Sequence, residues 1–335
     1  VVSERFEVAG KFCNKLWNAS RFALMNLEGY TAGKVADSDL RVEDRWVLSR
    51  LSTVSRQVTD ALAAYRYADA ARALYEFSWD EFCSFYVEMV KGRLQDDSAR
   101  PVAQRVLAHT LDSILRLLHP MIPFLTEEVW QLLGRLAPER GLEQVEAAAE
   151  SVMMAAWPEG DSARQDPRIE AQFARFQEAG RAIRQIRERQ RVPEKKRVDF
   201  AVRCDPATAD LLRPMEPYFA SLARARAVAW GPDVKAPELS APETLPDMEL
   251  FVDLAGVIDL QAEISRKRKE LEKLEKFLAA KKNKLANKDF VARAPQAVVQ
   301  KERDALKELQ QQHAAASAAL KNLVAVEAQR PADQA

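Results

Sequence analysis

Apolar residues in the first half of the chain recur at helical spacing. Between Lys11 and Leu27, at roughly 100° per residue, Phe12, Leu16, Ala19, Ala23 and Leu27 fall on one arc, flanked by Trp17, Ser20 and Leu24. That arc predicts the buried face of a first helix. The opposite arc carries Asn14, Lys15, Asn18, Arg21, Phe22 and Met25, so amides, two positive charges and a ring share one strip expected to face solvent. Val47, Leu51, Val54, Val58, Ala61 and Tyr65 alternate steps of four and three, the core stripe of a second helix. A third, Tyr67 to Lys91, has Tyr75, Phe77, Trp79, Phe82, Phe85 and Tyr86 on several faces, which implies burial on more than one side and a central place in a bundle. Arg100–Pro101 opens a fourth helix with Leu107, Leu111, Ile114 and Leu118 as its stripe. The prolines of His119–Phe124 must break it, and Thr126 is the expected N-cap of the next. Residues up to Pro158 thus read as all-helical.

A long helix follows from Arg168 to Gln190, with Phe173, Phe176, Ile183 and Ile186 inward. Arg181, Arg184, Arg187 and Arg191 lie on its other side, either as a solvated face or as a phosphate rail. After Pro193 the period changes. Val198, Phe200 and Val202 alternate and predict a strand, followed by a short helix from Ala207 to Ala223 and an apolar run from Ala225 to Trp230. Pro232 to Pro246 reads as a proline-rich loop, and Met248 to Leu254 as a further strand. This small α/β module has no phosphate-cradling glycine loop and is expected to be a spacer or docking piece.

From Gly256 the pattern is that of a coiled coil. Leu260, Ile264, Lys267, Leu271, Leu274, Leu278, Lys281 and Leu285 form one seam, and Val299, Glu302, Leu306, Leu309, His313, Ala316, Leu320 and Leu323 a second. Asn287 to Pro295 supplies turn and breaker residues between them, so the arms are expected to fold back as an antiparallel hairpin, each spanning roughly 40 Å.

Composition narrows the chemistry. A chain of 335 residues, 47% apolar, suits two or three domains; no run has the length of a membrane span, and no signal peptide is expected. The chain starts in a helical pattern without an initiator Met and reads as a portion of something longer. Cys13, Cys83 and Cys204 form no C-x-x-C pair, which points to a reducing, cytoplasmic setting and away from zinc or disulfides. They are expected as small buried hydrophobes, and His109 and His119, without ligand-register partners, as structural histidines. Net charge is zero overall, but Arg266 to Arg303 holds 13 Lys/Arg against 5 Asp/Glu, one basic element on an otherwise acidic body. That asymmetry suggests a polyanion partner. The strip on the first helix then has two readings. Either Phe22 packs on a neighbouring helix, or the strip reads unpaired nucleotides, with amides for base edges, the ring for stacking and Lys and Arg for phosphate.

Three stretches together resemble one family, the valyl-tRNA synthetases, in their C-terminal portion: K-F-C-N-K-L-W-N-A-S-R-F from Lys11, L-L-H-P-M-I-P-F-L-T-E-E-V-W from Leu117, and K-L-A-N-K-D-F-V-A-R-A-P-Q-A-V-V from Lys284. The second is shared with isoleucyl and leucyl relatives; the third separates the valyl enzymes from them. W-D-E-F-C-S-F-Y at Trp79 also fits. The resemblance implies a mainly α fold: a helical-bundle anticodon-binding domain over 1–160, a long helix with a small α/β module over 161–255, and a coiled-coil tRNA-binding arm over 256–330. It implies a tRNA-Val partner, with no DNA and no membrane, and a monomer. Asn14, Lys15, Asn18, Arg21 and Phe22 would meet the anticodon, and Arg266, Lys273, Lys281, Lys282, Lys284, Lys288 and Arg293 the outer corner of the tRNA. The catalytic signatures H-I-G-H and K-M-S-K-S and an editing domain are absent, so no catalytic or metal residue is expected here; a parent ligase would use ATP and Mg. The competing reading is a structural protein that oligomerises through its coiled coil and has no RNA function.

Overall fold

The computed structural model describes residues 4–255, 257, 260–286 and 295–328. They fall into two compact units, Val1–Gly180 with Pro217–Leu222, and Arg181–Glu216 with Ala223–Ala335. The chain is mainly α, with a small mixed sheet and a C-terminal helical arm.

The first unit is built from α1 (Glu4–Asn26), α2 (Val42–Ala63), α3 (Tyr67–Tyr75), α4 (Val87–Leu94), α5 (Arg100–Leu118), α6 (Pro123–Leu136) and the first part of α7 (Pro167–Arg189). The predicted arc of α1 is the buried one, from Phe12 to Leu27. The α2 stripe holds from Val47 to Ala61, but Tyr65 is exposed and left-handed, with φ 58°; α2 ends before reaching it. Between α3 and α4 the helix continues in π form over Glu76–Tyr86, where the Val87 amide donates to the Phe82 carbonyl five residues back. The wider turn lets Phe77, Phe82, Phe85 and Tyr86 all enter the core, more rings than one α-helical face accommodates. Pro123, not Thr126, opens α6. Its fixed φ suits the first helical position, while buried Thr126 donates back to the Ile122 and Pro123 carbonyls and meets His119 Nδ1 at 2.8 Å.

One departure from an all-helical bundle is a two-residue antiparallel ladder, β1 (Glu139–Arg140) with β2 (Glu146–Ala147). Gly141, at φ 137°, makes this turn possible, since a Cβ there would lie 1.8 Å from the Gln144 carbonyl oxygen. Buried charge is grouped. Arg93 Nη1 donates to Glu43 and Asp44 at 3.0 and 2.5 Å, while Tyr86 and Tyr218 donate to the same two carboxylates. Arg50 joins Glu81 and Glu170. Trp46 stacks on Phe173 at 4.4 Å.

In the second unit, β3 (Val198–Cys204), β4 (Ala225–Gly231), β5 (Ser240–Leu245) and β6 (Met248–Asp253) form a sheet in the order β4-β3-β6-β5. β3 and β4 are parallel, so their connection must cross over; α8 (Pro206–Leu212) and α9 (Glu216–Leu222) lie in it. The proline-rich stretch expected as a loop contains β5. Among the described residues it pairs only with β6, and Pro242 is tolerated because an edge strand can spare one donor. Arg187 is not part of a phosphate rail: buried, it donates to the carbonyls of Pro193, Glu194, Lys196 and Arg224.

The arm comprises α10 (Leu260–Ala286) and α11 (Gln296–Ala328). Lys281 bonds Glu302 and Glu275 approaches His313, so the two helices run antiparallel. The seam positions described, among them Ile264, Leu278, Val299 and Ala316, are buried or half-buried.

Candidate nucleic-acid interface

The strip on α1 divides in two. Asn14, Asn18 and Arg21 are exposed, whereas Lys15 and Phe22 are half-buried. Lys15 therefore departs from its expectation as an open charge. Its Nζ donates to Ser84 Oγ at 2.5 Å and sits 4.0 Å from the Trp79 ring centroid. Trp79 is one member of an aromatic column with Tyr75 and Phe12, at centroid separations of 5.6 Å to Tyr75 and 6.5 Å to Phe12. The column ties α1 to the π-helical stretch, and Lys15 closes it through a cation–π contact. Phe22 has Lys91 Nζ 5.3 Å from its ring centroid, so part of its face is already covered by a cation. The chemistry left open on α1 is a pair of amides, one guanidinium and the remaining edge of one ring.

On the arm, the basic residues also differ in how free they are. Lys281 and Lys284 both reach across the hairpin to Glu302, Lys284 at 3.0 Å. These contacts hold the Glu302 carboxyl below the usual carboxylate range, the Lys281 hydrogen bond first. Lys282 points away from the seam and is exposed. Lys273 is also exposed, with Nζ 5.9 Å from the ring of Phe277, a large aromatic that is itself half-exposed. Arg266 is half-buried. Lys288 and Arg293 lie outside the described residues.

Cysteine and histidine chemistry is muted. Cys83 and Cys204 are buried and Cys13 half-buried; burial pushes the Cys83 thiol up to about 12. Burial holds His109 down to about 4, so it is neutral near pH 7.

Sequence periodicity missed Ser84, Trp79 and Lys91 as partners of the strip. Those contacts run between elements, and the π-helical stretch that delivers Trp79 and Ser84 has no period of its own in so short a segment. Glu302 did carry a signal: a carboxylate on a predicted apolar seam needs a cation from the facing helix.

Residues 44–202 match the family described as the anticodon-binding domain of tRNA ligase, and residues 259–324 match the valyl tRNA synthetase tRNA binding arm. The first match starts beyond the α1 strip; the second contains every basic arm residue named above. The chain is 50% identical over 314 residues to the valine–tRNA ligase of Rhodopirellula baltica, across 93% of this chain and 30% of the relative. It is 40% identical over 316 residues to that of Geobacter sulfurreducens, across 93% and 34%. For the valine–tRNA ligase of Thermotoga maritima the identity is 37% over 301 residues, across 90% and 32%. The chain thus spans about a third of the length of the curated relatives it matches.

Proposed function

Since the chain belongs to the valyl-tRNA synthetase family through its anticodon-binding domain and its arm, we propose that it recognises a valine tRNA at two separate places. The helical bundle, expected over 1–160, takes the anticodon stem-loop; the arm, over 256–330, lies along the outer corner; residues 161–255 join them. The observation that carries this reading is the presence on one chain of both matched domains, the second coinciding with the segment of 13 Lys/Arg and 5 Asp/Glu. A purely structural hairpin has no need of that charge excess.

On α1, Asn14, Asn18 and Arg21 are the proposed direct contacts. Lys15 supports them by fixing the helix, and Phe22 offers the uncovered part of its ring face to an unpaired base. On the arm, Arg266, Lys273, Lys281, Lys282, Lys284, Lys288 and Arg293 form the electrostatic surface, which holds phosphate without reading sequence. The chain acts as a monomer in the cytoplasm. Charging belongs to segments bearing H-I-G-H and K-M-S-K-S, which this chain lacks.

The test uses an isolated anticodon hairpin and the full tRNA against the 335-residue chain. Phe22→Ala is expected to weaken hairpin binding about fivefold, the low end for base–aromatic stacking because Lys91 already covers part of the ring. The fold should be unchanged by circular dichroism. Unchanged hairpin affinity would remove Phe22 from the interface, and valine-dependent pyrophosphate exchange by this chain would contradict its proposed inactivity.

A further inference from the structure

The loop between α7 and β3, in the second unit, is basic and tightly held. Arg187 to Arg197 contains six Lys/Arg against two Asp/Glu. Arg187 is the buried one of the six, and it organises the loop. Its Nη1 donates to the Lys196 carbonyl at 2.8 Å and to that of Arg224 at 3.4 Å, and its Nη2 to the carbonyls of Pro193 and Glu194 at 3.2 and 3.3 Å. The Lys196 amide closes a turn on the Pro193 carbonyl at 3.0 Å, and Arg191, just before it, is left-handed at φ 51°. Hydrogen bonds from a charged donor are roughly twice as strong as neutral ones. With three of its carbonyls turned to one guanidinium, the loop backbone is fixed.

The cations that this loop displays are open. Arg191, Lys195, Lys196 and Arg197 are exposed, and among the described residues their side chains have no ion pair or hydrogen bond. Neighbouring arginines are engaged: Arg189 with Glu243 and Arg226 with Asp199, each at 2.6 Å, and Arg203 with Glu249. Glu194, a carboxylate of the loop itself, pairs with Arg224 at 3.8 Å and with none of the four. Between Arg187 and Cys204 no large apolar side chain is exposed. The loop therefore has neither a ring to stack on a base nor an anchor for a bilayer. Four open cations on a fixed backbone suit a run of phosphates.

We propose that Arg191, Lys195, Lys196 and Arg197 form a phosphate-binding loop for the sugar-phosphate backbone of the bound tRNA, a third contact beside the α1 strip and the arm. This rests on the tRNA reading given above. The loop reads charge and not sequence. Because Arg187 orders it before RNA arrives, binding forgoes part of the ordering cost that a mobile lysine segment meets. An acidic protein face would satisfy the same cations, but the loop lies within residues 44–202, matched to the anticodon-binding domain of tRNA ligase, which favours RNA.

The test is equilibrium binding of full-length tRNA to the 335-residue chain over a salt series. One variant combines Lys195→Gln, Lys196→Gln and Arg197→Gln. A charge-matched control removes three exposed cations elsewhere, with Arg66→Gln, Arg72→Gln and Arg135→Gln. The loop variant should keep the parent's circular dichroism, since the three side chains it alters are exposed. At about 0.9 per phosphate on a duplex-like partner, it should flatten the slope of log K against log salt by between about 0.9 and about 2.7, and the control by less than half as much. Acylation of Lys195 and Lys196 by a soluble reagent, read by mass spectrometry, should slow when tRNA is bound. An unchanged slope in the loop variant, equal flattening by the control, or acylation as fast with tRNA as without it would overturn the proposal. Parent binding separates the two readings. A parent chain without salt-dependent tRNA binding would overturn both, whereas a binding parent with a silent loop variant removes the loop alone.

Discussion

Lys281, Lys282 and Lys284 are close in sequence but should contribute unequally to tRNA binding. Each lysine that neutralises a phosphate adds about 0.9 to the slope of log K against log salt on a duplex-like partner. Between about 50 and about 200 mM salt, one such contact is therefore a factor of about 3.5 in affinity. Lys282 is exposed and turned away from the seam, so Lys282→Gln should flatten the slope by close to a full contact. The Lys281 ammonium is already committed to Glu302, and its removal leaves Lys284 on the same carboxylate at 3.0 Å. Lys281→Gln should accordingly lower the slope by less than about half as much. Glu302→Gln releases Lys281 and should steepen the slope by up to about 0.9, one contact's worth. The assay is equilibrium binding of full-length tRNA over a salt series for the parent and the three variants. An isolated anticodon hairpin serves as the control and should bind all four proteins alike. Equal flattening by Lys281→Gln and Lys282→Gln, or no steepening with Glu302→Gln, would refute the claim that the cross-hairpin pairs withhold charge from the tRNA.

Two further expectations concern the bundle. Arg93→Met strands the buried carboxylates of Glu43 and Asp44, a loss of about 3–5 kcal/mol. In a unit of this size that corresponds to a drop in Tm of about 6–20 °C; calorimetry showing a loss under about 1 kcal/mol would mean the cluster is not the charge-compensated unit its geometry describes. The second concerns His109, held at about 4 by burial against 6.5 for a free imidazole. As pH falls the unfolded chain takes up this proton first, so the contribution is intact above about pH 6.5 and is lost progressively down to about pH 4. The span sets a ceiling of about 3 kcal/mol, since the side chain is only half-buried. Urea titrations of His109→Gln should lack this part of the acid slope; an identical pH profile in parent and variant would show that the imidazole titrates equally in both states.

Helical periodicity made most of the fold legible because it is a local property. The arcs of α1 and α7, the α2 stripe up to Ala61 and both described seams of the arm needed only the identity of residues three and four apart. The misplacements have local causes as well. Tyr65 continues the α2 rhythm on paper, but the helix ends first. Pro242 argues against a central strand and says nothing against an edge. Thr126 has the chemistry of a cap, yet Pro123 takes the helix start three residues earlier. The π-helical stretch was not legible at all: six rings in twelve residues from Tyr75 to Tyr86 announce burial, but burial on several faces fits an ordinary helix at the centre of a bundle equally well.

The interface was legible as composition and not as availability. Formal charge on α1 and the arm can be counted from the chain, but whether a cation meets a nucleic acid depends on which acceptors reach it first. Lys15 is spent on Ser84, 69 positions away, and Lys281 on Glu302, 21 positions away; neither partner lies within a helical turn. A pattern therefore overestimates the charge a surface can offer, and most strongly in segments rich in lysine, where some side chains hold the segment together. The same reasoning sets the working surface of α1. With Lys15 committed and Phe22 partly covered, the proposed selectivity there rests on Asn14, Asn18 and Arg21. The two short amides suit base edges, and the planar guanidinium can meet either a base edge or a phosphate. The arm retains the long flexible ammonium groups that suit phosphate. On the proposed reading the two places would divide the task by chemistry, one selecting among tRNAs and the other adding affinity that any tRNA of the same shape would share.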